Sequence, residues 1–423
     1  MAENISLRRH TLWMASGQGI SLAFQAIYFL LIGRTLGSYE YGAFAGVVAL
    51  INALSQFSSL GMEMILVRNI SRSRESFRTT WGNALQISTC GFFLVLAFAL
   101  LLGRFVLKAE LRPLIPYIAL SDALLGKLVI LSSRAFQGAG EIGETARLTA
   151  LTSILRTVAA LGLYLFARVT HVHATAFLWT KIYWLSSLVT AVVAFRLVAA
   201  RLGWPRFEMI RLHDLTDGLS FSLSSSSVSI YNDIDKSILA GRGDLYAAGI
   251  YSAAYRIIDV ASVPIYAIYT AASPHFFREG ERGIAHASIL ANRLLGKTVP
   301  YGIAIALALF AASPLLPYCF GASFAGAVEA MRWLCLLPLI RGLHYAWGTT
   351  ITGSASQWYR TATQAGAAIF NLLLNLVLIP KWSWRGAAAA SLLTDGSLAA
   401  AAWVIVKYLQ LREDDRSVLT ETA

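Results

Sequence analysis

Seven basic side chains fall inside stretches that are otherwise apolar: Lys127, Arg156, Lys181, Lys236, Arg256, Arg332 and Arg341. A cation near the centre of a membrane-spanning helix costs roughly 2.5–3.5 kcal/mol on insertion scales. Together the seven would cost on the order of 20 kcal/mol, more than the typical net stability of a folded domain. They are therefore expected to face one another's helices or a wet cavity rather than lipid. Three have an acid at helix-neighbour spacing: Asp233 before Lys236, Asp259 after Arg256 and Glu329 before Arg332. For these, a structural ion pair and a binding role are equally open. Lys127, Arg156, Lys181 and Arg341 have no acid three or four residues away and read as unpaired. Such cations suit an anionic group such as a diphosphate or an acidic sugar, whose oxygens a guanidinium grips with paired donors.

Other polar groups share these runs. Glu63, Asp122, Asp233, Asp235, Asp259 and Asp395 are acids that either partner the bases or bind a coupling H⁺ or Na⁺. Of these, Glu63, Asp233, Asp235 and Asp259 are the coupling candidates. The first run carries Ser16, Gln18, Ser21 and Gln25, with Gln18 and Gln25 on one helical face. Interhelical hydrogen bonding and the lining of a polar path are both open for the two glutamines. Ser220, Ser222 and Ser224 to Ser227, ahead of Tyr231 and Asn232, allow close helix packing or a hydrated surface.

These groups must be positioned by long apolar helices. Stretches of about 20 residues, enough to span a bilayer, are predicted at 12–32, 41–60, 82–102, 112–134, 146–168, 174–196, 215–240, 246–276, 288–311, 325–351, 360–380 and 386–408. The connectors are too short for a soluble domain. The expected fold is all-α and integral to the membrane, with about twelve helices in two six-helix bundles, 1–205 and 206–423, around a central lumen. Lys and Arg in the connectors number twenty on one side and eight on the other. The positive-inside rule then predicts both termini in the cytoplasm. The run after Arg8 and Arg9 lacks a small-residue cleavage motif and reads as a retained first helix.

Composition agrees. Of 423 residues, 57% are hydrophobic and 14% charged, against roughly 25% charged in soluble domains. The mean hydropathy is +0.59. The net charge of +12 sits mostly in the connectors, where it meets anionic lipid headgroups, so nucleic acid is not an expected partner. Cys90, Cys319 and Cys335 are too scattered for a zinc site. Gly138-Ala-Gly140-Glu-Ile-Gly143 matches a dinucleotide-binding pattern but follows a membrane helix and no strand, and no cofactor is expected.

The chain also repeats itself weakly. Leu36-Gly-Ser-Tyr-Glu-Tyr-Gly-Ala-Phe-Ala45 has a counterpart in Gly243-Asp-Leu-Tyr-Ala-Ala-Gly-Ile-Tyr-Ser252, and Gln137-Gly138-Ala139-Gly140 in Thr352-Gly353-Ser354-Ala355. Six helices per repeat give two halves of the same orientation, a transporter arrangement.

Several of these pieces resemble one family. Gly33-Arg-Thr-Leu-Gly37, Glu40-Tyr-Gly42, Leu60-Gly61 and Val67-Arg68 are similar to the N-terminal pattern of Wzx-type polysaccharide flippases, within the multidrug/oligosaccharidyl-lipid/polysaccharide exporter superfamily. Ile234-Asp235-Lys236, Gly249 through Arg256 and Ser273-Pro274 resemble its middle pattern, and Ile379-Pro380 with Arg385-Gly386 its late one. The resemblance implies outward transfer of undecaprenyl-diphosphate-linked oligosaccharide across a bacterial inner membrane by alternating access. It implies a cationic lumen with roles for Asp235, Lys236 and Arg256, and it admits other polysaccharide-assembly proteins as partners. Two other functions stand beside it. A drug or cation antiporter would want an acidic cavity, whereas the charge inside these runs is mostly positive. A membrane polymerase or ligase would want a large outer loop and converging catalytic groups, and neither is evident. The expected protein is not an enzyme.

Overall fold

The computed structural model describes residues 2–208, 212–354 and 357–421; the side chains of Ser16, Ser220 and Ser224 fall outside that description. Fourteen α-helices occur among the described residues: α1 Ala2–Ser55, α2 Met62–Arg72, α3 Phe77–Val106, α4 Leu114–Ala119, α5 Lys127–Gly138, α6 Ile142–Thr170, α7 Ala176–Arg201, α8 Leu212–Gly241, α9 Leu245–Glu281, α10 Ile284–Ala312, α11 Leu316–Phe320, α12 Ala327–Leu334, α13 Leu337–Gly353 and α14 Gln357–Glu421. No strand occurs among them. In lipid every backbone N–H and C=O must be satisfied internally, which is why long apolar runs of this kind become helices.

All twelve predicted stretches overlap helices, although 41–60 runs past the end of α1 at Ser55. Eight helical segments are long and apolar enough to cross a membrane among the described residues, and they overlap ten of the twelve stretches. The first two share α1, which breaks at Gly37 (φ 72°, ψ 172°), and the last two share α14, which breaks at Ser383 (φ 51°, ψ −132°). Of the two left out, the 325–351 stretch is divided between α12 and α13, and the α8 stretch includes residues whose side chains fall outside the description. The protein is thus a multi-pass membrane protein.

The chain forms two compact units. One comprises 1–229 with 236–249 and 319–321; the other comprises 230–235, 250–318 and 322–423. The core of the first includes Trp81, Phe136, Leu66 and Leu131, all fully buried. That of the second includes Ile265, Phe276 and Ala346.

The repeated glycines mark close helix approaches. In the first unit, a Cβ at Gly42 would overlap the carbonyl oxygen of Leu245, and one at Gly249 that of Ser38. Small residues at such crossings let backbones touch, the usual device for helix association in membranes. Gly138 packs on Val67 and Ile70 at the end of α2, and Gly353, about 215 residues later, packs on Phe276 near the end of α9. All four glycines thus sit at close approaches. The neighbouring Glu40 has a capping role: its carboxylate accepts from the Ala176 N–H at 2.6 Å, placing negative charge at the start of α7.

Gly249→Leu should be overpacked by several heavy atoms and lose about 1–3 kcal/mol or more. Melting of the purified protein in detergent checks this, and an unchanged midpoint would remove the close-approach account.

Candidate functional site

In the first unit the polar groups sit on α1, α2, the π-helical turn Leu120–Gly126, α5, α6 and α7. That turn interrupts the fourth span and carries Asp122; π segments inside helices frequently accompany functional sites. Asp122 accepts a hydrogen bond from the Tyr183 hydroxyl at 2.6 Å and lies 3.4 Å from the Arg156 guanidinium. Arg156 also lies over the Tyr183 ring, 4.5 Å from its centroid, a cation–π contact. Its side chain remains 28% exposed. One turn before it on α6, Ser153 bonds Ser21 of α1 at 2.7 Å. The exposed Gln25 amide donates to Ser21 at 3.1 Å and reaches Ser153 at 3.5 Å. Gln18 is exposed on the same helix. Gln25, Ser153 and Arg156 thus form an accessible patch with amide, hydroxyl and guanidinium donors.

Lys127 is a different kind of cation. Only 5% of its side chain is exposed, and it donates to Glu63 at 2.8 Å and Gln56 at 3.1 Å. Glu63 also accepts from Ser59 at 2.7 Å. The turn that brings these together contains Leu60 and Gly61, both at positive φ (43° and 69°).

In the second unit Arg341 is the hub. Its side chain is 7% exposed and reaches four partners: Asp259 at 2.9 Å, Asp395 at 3.4 Å, the Tyr255 hydroxyl at 2.7 Å and Asn232 at 3.3 Å. A second buried carboxylate, Asp235, accepts from the Tyr251 hydroxyl at 2.6 Å and from Ser391 at 3.2 Å. Nearby along α14, Asn371 donates to Thr394 at 3.0 Å, and Asn375 donates to Asn371.

Three of the four bases read as unpaired are therefore paired. Lys127 has Glu63, Arg156 has Asp122, and Arg341 has Asp259 and Asp395. The spacing rule misses them because each carboxylate comes from a different helix. Lys127 and Arg341 are each buried among partners. The fourth, Lys181, is exposed on a stripe of α7 shared with Phe177, Leu185 and Val192, with its ammonium 4.4 Å from the Phe177 ring centroid. An apolar stripe of that kind suits a snorkelling lysine rather than a wet cavity. The pairing of Arg332 with Glu329 is also replaced. Arg332 donates to Ser313 at 3.0 Å, while Glu329 accepts two bonds from Arg385 at 2.8 and 3.1 Å. Of the remaining candidates, Lys236 is buried on α8, Asp233 is half-buried, and Arg256 is exposed on α9.

Asp122 and Asp395 were visible as acids within apolar runs, Asn232 as part of a polar stretch and Tyr255 within a family-like piece, whereas Tyr183 and Ser153 carried no sequence signal beyond ordinary membrane-helix polarity.

The all-α fold is shared with solved transporters. The fold matches an inward-facing multidrug resistance MATE family transporter of the MOP superfamily, with a TM-score of 0.70 at 19% identity over 96% of this chain and 99% of that one. It matches the lipid II flippase MurJ, in an inward closed conformation, with a TM-score of 0.73 at 12% identity over 94% and 87%. A third match is a MOP superfamily transporter from Pyrococcus furiosus, with a TM-score of 0.61 at 16% identity over 95% and 96%, described as having a binding pocket of reverse polarity. The fold is thus like that of transporters of the MOP superfamily. The chain belongs to the family described as polysaccharide biosynthesis protein, whose pattern matches residues 7–279. The resemblance to Wzx-type flippases is thereby borne out at the level of family and fold. A search of curated protein sequences gives no match.

Proposed function

We propose that this chain is a flippase that carries undecaprenyl-diphosphate-linked oligosaccharide outward across a bacterial inner membrane, for O-antigen, capsule or exopolysaccharide synthesis. Both termini lie in the cytoplasm in this reading. The observation that carries it is Arg156, in a chain of the polysaccharide biosynthesis family. This guanidinium is oriented by Asp122 and Tyr183 yet still accessible, with Ser153 one turn before it and Gln25 of α1 reaching Ser153. Arg156 would bind the diphosphate, and the glutamine and serine would bond sugar hydroxyls. The polyprenyl tail would stay in lipid, so the polar head alone needs a path. The likeness to a lipid II flippase supports a lipid-linked substrate.

Alternating access would follow the rocking of two repeats seen in transporters built this way. Coupling to H⁺ or Na⁺ is assigned here to the acids Glu63, Asp233, Asp235 and Asp259, of which Asp235 is buried and accepts from the Tyr251 and Ser391 hydroxyls. Lys127 and Arg341, buried among their partners, are assigned to hold helices in register rather than to touch substrate.

The test is complementation. In a strain lacking its own flippase and supplied with the matching sugar-assembly genes, expression of this chain should restore surface polymer. Its absence should leave undecorated lipid-linked units on the cytoplasmic face. Export of single, unpolymerised units in the strain lacking this chain would point to a polymerase and overturn the reading.

A further inference from the structure

Helices α6 and α7 are joined by residues 171–175, and an open groove of about 540 Å³ lies between them. Val158, Gly162 and Phe166 of α6 and Leu178, Leu185 and Val189 of α7 contribute to its walls. Its lining is apolar but for Ser186, and Val158, Phe166, Leu185 and Val189 are between 44% and 58% exposed. From Leu155 to Phe166 the groove follows α6 for roughly 16 Å at 1.5 Å per residue. That is about one leaflet's share of a bilayer core of about 30 Å.

A cation flanks the groove near the 171–175 connector. Lys181, exposed on α7, lies one turn from both Leu178 and Leu185. Its ammonium turns back over Phe177, towards the start of the helix and the 171–175 connector. At the opposite end, Ser186 lies one turn from Val189, and Arg156, next to Leu155, is turned to Asp122 and the Tyr183 ring. A slot one leaflet long, apolar along its length and cationic at the interfacial end, has the outline of an amphiphile with a single chain engaged and an anionic head.

We propose that this groove binds one acyl chain of an anionic phospholipid, with the headgroup phosphate against Lys181. The site requires only that the chain spans a membrane. It does not depend on what the protein transports, and its test needs no transport.

Gly162 is the useful position, because a Cβ there would meet nothing within 4 Å. Gly162→Phe therefore has room for its Cβ and directs a ring at the groove, and it replaces a residue that disfavours helix. The full chain would be purified in detergent, with phosphatidylglycerol and phosphatidylcholine of the same chain length added in equal amounts, and the lipid retained counted by native mass spectrometry. Wild type should retain phosphatidylglycerol over phosphatidylcholine by about fivefold, the size expected for one lysine at an anionic headgroup. Lys181→Gln should lower that preference to near unity. Gly162→Phe should lose most retained lipid of either kind while its melting temperature stays at or above that of wild type. Undiminished retention by Gly162→Phe, or an undiminished preference in Lys181→Gln, would overturn the assignment. So would displacement of phosphatidylglycerol from wild type, but not from Gly162→Phe, by an equal amount of polyprenyl phosphate.

Discussion

Arg341→Met is expected to lower the stability of the protein by about 3–5 kcal/mol, the loss typical when one partner of a buried ion pair is removed. The reason lies in what stays behind. Asp395 is 3% exposed and receives a guanidinium donor at 3.4 Å, and Asp259, Asn232 and the Tyr255 hydroxyl share the same guanidinium. Removing it strands a carboxylate in the helix bundle together with polar groups that lose a donor. In detergent, thermal melting should fall by roughly 10 °C, since about 1 kcal/mol shifts the midpoint of a domain of 150–250 residues by about 2–4 °C. Adding Asp395→Asn and Asp259→Asn to Arg341→Met should recover much of the loss, because a neutral amide has no stranded charge. Lys127→Met should cost less. Its partner Glu63 is 15% exposed and keeps the Ser59 hydroxyl. Equal melting of Arg341→Met and wild type would remove Arg341 from its structural role and return it to the candidate substrate contacts.

Arg156→Ala should behave in the opposite way, with near-normal abundance in the membrane and loss of polymer export. Its side chain is partly exposed, and Asp122 keeps the Tyr183 hydroxyl at 2.6 Å when the guanidinium is gone. Structural loss should stay within about 1 kcal/mol, near the value for an exposed pair. Arg156→Lys preserves the charge but not the paired planar donors, so it should export partially. Asp122→Asn keeps a partner for Tyr183 while removing the charge that orients Arg156, and it should fall between the two. Polymer length and quantity at the surface, together with lipid-linked units recovered inside, give the measurement. Full export by Arg156→Ala at wild-type protein levels would sink the assignment of the diphosphate to this residue.

The fold was legible because lipid is a demanding solvent. Runs such as 146–168 and 174–196 have no state available to them in a bilayer other than helix, and α6 and α7 occupy them. The glycines of the repeat were legible too, since Gly42 and Gly249 fall at matching places in matching phrases. The charge pattern was not. Helix-neighbour spacing sees one turn, whereas Lys127 finds Glu63 across 64 residues, Arg156 finds Asp122 across 34, and Arg341 finds Asp259 across 82. Such pairs depend on which helix faces which, information that resides in packing. Lys181 failed for another reason. Insertion cost treats every lysine within a span alike, although four methylenes let an ammonium near a helix end reach the headgroups.

The crossing of Gly42 with Leu245 and Gly249 carries a consequence for biogenesis. The partner surface for the second half of α1 is made of residues about 200 positions further along the chain, so the N-terminal unit cannot be finished when its own last helix leaves the ribosome. At roughly 5–20 residues per second, Gly42 waits on the order of 10–40 s for Gly249 to be translated. During that interval the bare glycine face of α1 is available to chaperones and to the insertion machinery. A truncation ending near residue 205 should accordingly be cleared by quality-control proteases, whereas one ending beyond residue 250 should persist.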